Sequence, residues 1–90
     1  MSHPEIISRL RSYVTDNFLY MRKDFEFQDT DSLMGRGIVD SMGVVELLTF
    51  VQNEFGITVD DDEITDDNFG TLWVIGRFVH RKRTEQVAAW

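Results

Sequence analysis

The stretch "DSMGVVELLTFVQNEFG", Asp40 to Gly56, decides the fold. Val44, Leu47, Leu48, Val51 and Phe55 recur at spacings of three and four, which is the period of one face of an α-helix. Asp40 or Ser41 supplies a small polar N-cap, whose side-chain oxygen satisfies a free N–H group and contributes about 1 kcal/mol. Gly56 supplies the stop. The spacing therefore predicts a helix from about Ser41 to Phe55. Met42, Val45, Glu46 and Thr49 are turned away from its apolar stripe.

The same periodicity appears twice more. Ile7, Leu10, Val14 and Phe18 predict a helix from roughly Pro4 to Leu19, with proline tolerated only near such a start. Leu72, Ile75, Phe78 and Val79 predict another from about Thr71, a suitable N-cap, to Arg83. His80, Arg81, Lys82 and Arg83 then crowd its last turn, where cations complement the helix dipole. Gly76 lies inside this helix at a cost of about 1 kcal/mol against alanine, which points to close packing there.

Two connections join these helices. Met21 to Asp40 is long for a loop in a compact domain. It carries Phe25, Phe27, Leu33, Ile38 and Val39, so it is expected to lie across the bundle. Ile57 to Gly70 is acidic. In it Ile57, Val59 and Ile64 are expected to reach the core, and Asp66 to Phe69 to form one short helical turn. Ile57 to Val59 alternates like a strand, but an isolated strand has nothing to pair with. The expected fold is all-α, a four-helix bundle of three longer helices and one short one. Its core covers about residues 4–83, and residues 84–90 are expected to form a flexible tail.

A chain of 90 residues holds one domain, and 42% hydrophobic residues suffice for a small core. There is no cysteine, which excludes disulfides and thiolate metal sites. No apolar run approaches the ~20 residues of a membrane span, and the N-terminus lacks a secretory pattern, so a cytoplasmic, monomeric protein off the membrane is expected. The net charge of -7 is unevenly spread. Asp24 to Phe69 holds 13 acidic residues and one basic residue, Arg36, while the remainder has 3 acidic and 8 basic residues. An acidic middle repels phosphates, so nucleic acid is a poor partner. It suits basic proteins, or serves only as a solvated surface.

Three kinds of chemistry can be weighed. "DTDSLMGRGIVD", Asp29 to Asp40, has carboxylates at the first, third and twelfth positions of a calcium loop. Leu33 cannot ligate at the fifth position, and Met34 replaces the glycine the turn needs, so no metal site is expected. The run Asp60 to Glu63 reads as a solvated, self-repelling face. Nucleophilic catalysis needs a base near Ser41, but the two histidines, His3 and His80, lie near the two ends. The motif G-x-S-x-G is absent, and the chain is not expected to be an enzyme. Ser41 itself stands at a helix start beside a carboxylate. A phosphodiester there would face free N–H groups and the positive end of the dipole. The position suits an attached phosphate group better than a catalytic alkoxide.

These residues resemble the acyl carrier and peptidyl carrier proteins. The family's signature, Gly-x-Asp-Ser-Leu/Met, is matched by Gly37, Ile38, Val39, Asp40, Ser41 and Met42, with one residue more between glycine and aspartate. The likeness continues through Leu33, the "VEL" of Val45 to Leu47, "EFGI", an acidic loop and the "NF" of Asn68 and Phe69, and covers nearly the whole chain. It implies an acyl-carrier-like bundle in which Ser41 receives 4'-phosphopantetheine from coenzyme A, with Asp40 as a recognition residue. The thiol of that arm carries acyl or aminoacyl thioesters in a lipid, polyketide or nonribosomal peptide pathway. The implied partners are a phosphopantetheinyl transferase and the acyl- or aminoacyl-loading and processing enzymes. Met42, Val45, Glu46 and Thr49, with Glu54 and Asp60 in an acidic rim, are the expected docking residues. The basic stretch His80 to Arg83, Thr49 in place of a large apolar side chain, and the bulk of Phe50 and Trp73 depart from fatty-acid-synthesis carriers. Phe50 and Trp73 are expected to fill space other carriers leave for a buried chain, which favours a specialised pathway. In the alternative reading the chain is a small helical interaction module, with Ser41 a cap or a phosphorylation site.

Overall fold

The computed structural model describes residues 1–22 and 24–88. Four α-helices follow one another: α1 (His3–Phe18), α2 (Ser41–Phe55), α3 (Asp66–Phe69) and α4 (Leu72–Ala88), with a 3-10 turn at Asp61–Glu63 before α3. No strand occurs among the described residues, Ile57 to Val59 included.

Each apolar stripe does what its spacing predicts. Ile6, Ile7, Leu10 and Val14 are the buried face of α1, and Leu47, Val51 and Phe55 that of α2. Leu72, Ile75, Phe78 and Val79 complete the core from α4. The main helix–helix contact is α1 on α4. Gly76 explains how close it is. A β-carbon there would sit 2.8 Å from Ile7 Cγ1 and 3.0 Å from the His3 ring.

The long connection is a packed strap. Phe27, Leu33, Ile38 and Val39 are all buried, and Phe25 packs on the core from the side. Leu33 is its knot. The Leu33 N–H donates to the Gly70 carbonyl at 2.9 Å, and its own carbonyl accepts from Ile38 and Val39 at 2.8 and 3.2 Å. Arg11 fastens the strap to α1 by donating to the Phe27 carbonyl at 3.0 Å and to Asp29 Oδ1 at 2.6 Å. Trp73 N–H donates to the Asp29 carbonyl at 2.9 Å and ties the same point to α4. In the acidic connection Ile57 is buried, while Val59 and Ile64 are half-buried.

Three expectations need correction. α4 continues past Arg83 to Ala88, so 84–88 is helix rather than tail; residues 89–90 lie outside the described residues. The basic residues 80–83 therefore do not cap α4. Lys82 reaches Glu63 at 3.0 Å, and Arg83 donates to the Phe55 carbonyl at the end of α2 at 2.7 Å. They stitch α4 to its neighbours. Trp73 does not fill the core: it is 45% exposed, with its ring edge-on to His3 at 4.6 Å. His3 is the first residue of α1, with Nε2 3.2 Å from the Trp73 carbonyl.

Candidate functional site

Asp40 is extended (φ -105°, ψ -174°), and its Oδ1 accepts a hydrogen bond from Gly43 N–H at 2.8 Å. Of the two candidate caps, the structure gives the role to Asp40. Ser41 becomes the first helical residue. It is exposed, and its hydroxyl makes no hydrogen bond among the described residues. Two buried residues, Ile38 and Val39, anchor the approach, so the chain passes from core to surface in one step. Gly37 begins that approach with φ +69°, a left-handed conformation that glycine adopts without penalty. Behind the serine, Gly43 lets α2 lie close to α1 and the strap. A β-carbon on it would meet Phe18 at 3.0 Å and Val39 at 3.2 Å.

Ser41 borders two depressions. One, of about 340 Å³, runs between α2 and α3 and is mainly apolar, with Val44, Val45, Ile64 and Phe69 in its walls. The other, of about 580 Å³, is polar and opens toward the end of α1, with Asn17, Arg22, Gly37 and Asp40 around it. Neither histidine lines either depression. The hydroxyl thus has room on both sides and no imidazole beside it. That suits a point of attachment and leaves a hydrolytic alkoxide without a histidine base.

The expected docking residues fall into two groups. Met42 and Val45 are 75% and 61% exposed, and Glu46 and Thr49 are exposed beside them. Thr49 donates back to the Val45 carbonyl at 3.2 Å. Tyr13 donates to the Glu46 carbonyl at 3.4 Å and stacks on half-buried Phe50 at 3.9 Å. Burial first, then the Glu46 carboxylate, push the Tyr13 hydroxyl above the usual tyrosine range. Met42 and Val45 adjoin Ser41, and Glu46 and Thr49 follow further along α2. Glu54 and Asp60 do not adjoin it. Glu54 is ~20 Å further along α2 at 1.5 Å per residue. It pairs with Arg9 at 3.5 Å, and Asp60 N–H donates to Glu63 Oε1 at 3.0 Å. Glu54 nevertheless lines one depression with Val45, Glu46 and Thr49, so the acidic side runs on along α2.

Three of the carboxylates weighed for metal binding are held in ion pairs. Asp29 pairs with Arg11, Asp31 with Arg36 and Glu63 with Lys82. No group of three or more His, Asp or Glu with metal-binding geometry occurs among the described residues. No described helix is long and apolar enough to cross a membrane. The residues that sequence reading missed are Arg22 and the groove-lining pair Ile64 and Phe69. They lie far from Ser41 along the chain, and only packing of the strap and α3 brings them to it.

No protein-family model matches the chain. A D-alanyl carrier protein of Streptococcus mutans is 40% identical over 53 residues, which span 59% of this chain and 66% of that protein, just under two thirds of its length. The solution structure of a holo acyl carrier protein from Nitrosomonas europaea is 33% identical, with a TM-score of 0.67. It covers 93% of this chain and 99% of its own.

Proposed function

The chain belongs to the acyl carrier protein family, and on that premise we propose that Ser41 carries 4'-phosphopantetheine and presents acyl or aminoacyl thioesters to successive enzymes. As a carrier protein it is not itself an enzyme. The observation that carries the proposal is the division of labour at the start of α2. Asp40 holds the cap at 2.8 Å, which leaves the Ser41 hydroxyl exposed and uncommitted. A serine that served only as cap would need its oxygen for that bond.

The surroundings fit the group. Ser41 opens on both sides, and a phosphodiester on it meets the positive end of α2. When bound, the group supplies the thiol that this cysteine-free chain lacks. The chain's own task is to hold the attachment point rigid and exposed, which buried Ile38 and Val39 do from one side and the Asp40 cap from the other. Met42 and Val45 flank that point, and exposed Glu46 and Thr49 extend the surface along α2, suited to brief contacts with basic partners. Those partners are a phosphopantetheinyl transferase and the loading and processing enzymes. Dependence on coenzyme A places the work in the cytoplasm. The likeness to a D-alanyl carrier favours an aminoacyl cargo.

Incubation with coenzyme A, magnesium and a broad-specificity transferase, followed by intact mass measurement, tests attachment. The expected result is one phosphopantetheine per chain, absent in Ser41→Ala. A folded chain that gains no mass, or a gain that survives Ser41→Ala, would sink the proposal.

A further inference from the structure

Among the described residues, Arg22 is the cation in the walls of the polar depression beside Ser41. Its guanidinium is held in place. It lies 4.7 Å above the centre of the Phe25 ring, and Nη2 donates to the Gly37 carbonyl at 2.9 Å. Among the described residues no carboxylate forms an ion pair with it, whereas Arg9, Arg11, Arg36, Arg81 and Lys82 each have one. A guanidinium has five N–H donors, and the bond to Gly37 uses one. Asp40, the acidic residue among the described residues that line the same depression, spends Oδ1 on Gly43.

We infer that Arg22 is the binding residue for the phosphodiester attached to Ser41. This rests on the attachment proposed above. The bond to Gly37 sets the guanidinium on the turn that leads into Asp40 and Ser41, and both residues border the same space of about 580 Å³. A phosphodiester carries one negative charge and two free oxygens, which match the planar donor fork of arginine. The pairing directs the charged root of the arm toward the α1 side of the serine. The apolar groove between α2 and α3 then stays open to uncharged parts of the arm or cargo. Because Phe25 and Gly37 already fix the side chain, little rotamer freedom remains to be lost when the pair forms.

NMR of apo and holo protein tests it, with intact mass as the gate. In the fully loaded wild-type protein the Arg22 Nε–Hε signal is expected to shift relative to apo, and the phosphodiester 31P signal to move with added salt. In Arg22→Gln the 31P signal is expected to lose its salt dependence, and Arg22→Lys to retain part of it. Arg9→Gln, at a cation of α1 paired with Glu54 of α2, is expected to behave as wild type. Identical Arg22 signals in apo and fully loaded protein, or a 31P signal indifferent to Arg22→Gln, would overturn the inference and leave attachment intact. Absence of any mass gain would overturn the attachment itself.

Discussion

Asp40 Oδ1 accepts the Gly43 N–H at 2.8 Å, and Gly43 is itself pressed against Phe18 and Val39. The residue that starts α2 is thereby coupled to the one that docks it on α1 and the strap. Removing the cap exposes this coupling. Asp40→Ala is expected to cost about 1 kcal/mol, the usual loss on deleting an N-cap oxygen. Asp40→Asn is expected to retain most of it. Urea unfolding of the apo forms reads both.

The two glycines inside α2 and α4 offer a second test. Alanine normally stabilises a helix interior by about 1 kcal/mol over glycine. At Gly76 the added carbon would lie 2.8 Å from Ile7 Cγ1, and at Gly43 3.0 Å from Phe18. Overpacking of this kind costs about 1–3 kcal/mol, so both alanine variants are expected to melt lower than wild type. Gly76→Ala is expected to suffer more, because it forces apart the main helix pair. A rise in melting temperature in either would show that the contacts yield freely.

The acidic connection sets an acid limit to stability. The Asp60 N–H first, and then Lys82, hold the Glu63 carboxyl below the usual glutamate range, against a smaller opposing effect of burial. A carboxyl whose folded pKa is depressed stabilises the fold above its unfolded pKa. That contribution is lost as pH falls through the folded value, because the unfolded chain binds the proton more readily. Urea midpoints are therefore expected to fall below about pH 4.3, and Glu63→Gln to flatten that part of the curve. An unchanged slope in the variant would remove Glu63 from the explanation.

Docking is tested through charge. Glu46→Lys is expected to lower kcat/KM for the transferase several-fold at low salt, with the gap closing as salt screens the approach. Glu54→Lys is expected to have much less effect, since Glu54 is ~20 Å from Ser41 along α2 and paired with Arg9. Equal losses in the two would mean that the whole acidic side acts as one surface.

Helices were readable from the sequence because burial obeys a local period. Leu47, Val51 and Phe55 are buried as their spacing demands, and the Ser41–Phe55 bounds hold to the residue. The anchors of the strap were readable too, as apolar residues that a solvated loop has no use for. What was not readable depends on partners distant along the chain. Arg83 does not cap its own helix, which runs on to Ala88, and instead reaches the Phe55 carbonyl at the end of α2. Trp73 stays at the surface because His3, at the far end of the chain, takes its ring. Ser41 was legible as a helix start. That Asp40 holds the cap is a matter of backbone angles, and Arg22 reaches the site only through the folded strap.

The most direct measurement is the site of modification itself. After loading with coenzyme A and transferase, tandem mass spectrometry of the intact chain is expected to place the whole added mass on Ser41, with none on Ser32 or on the Ser8 and Ser12 hydroxyls of α1. Ser41→Ala is expected to stay unmodified while melting within about 0.5 kcal/mol of wild type, as an exposed substitution should. Added mass on any other residue, or a fully folded wild-type chain that accepts none, would contradict Ser41 as the attachment point.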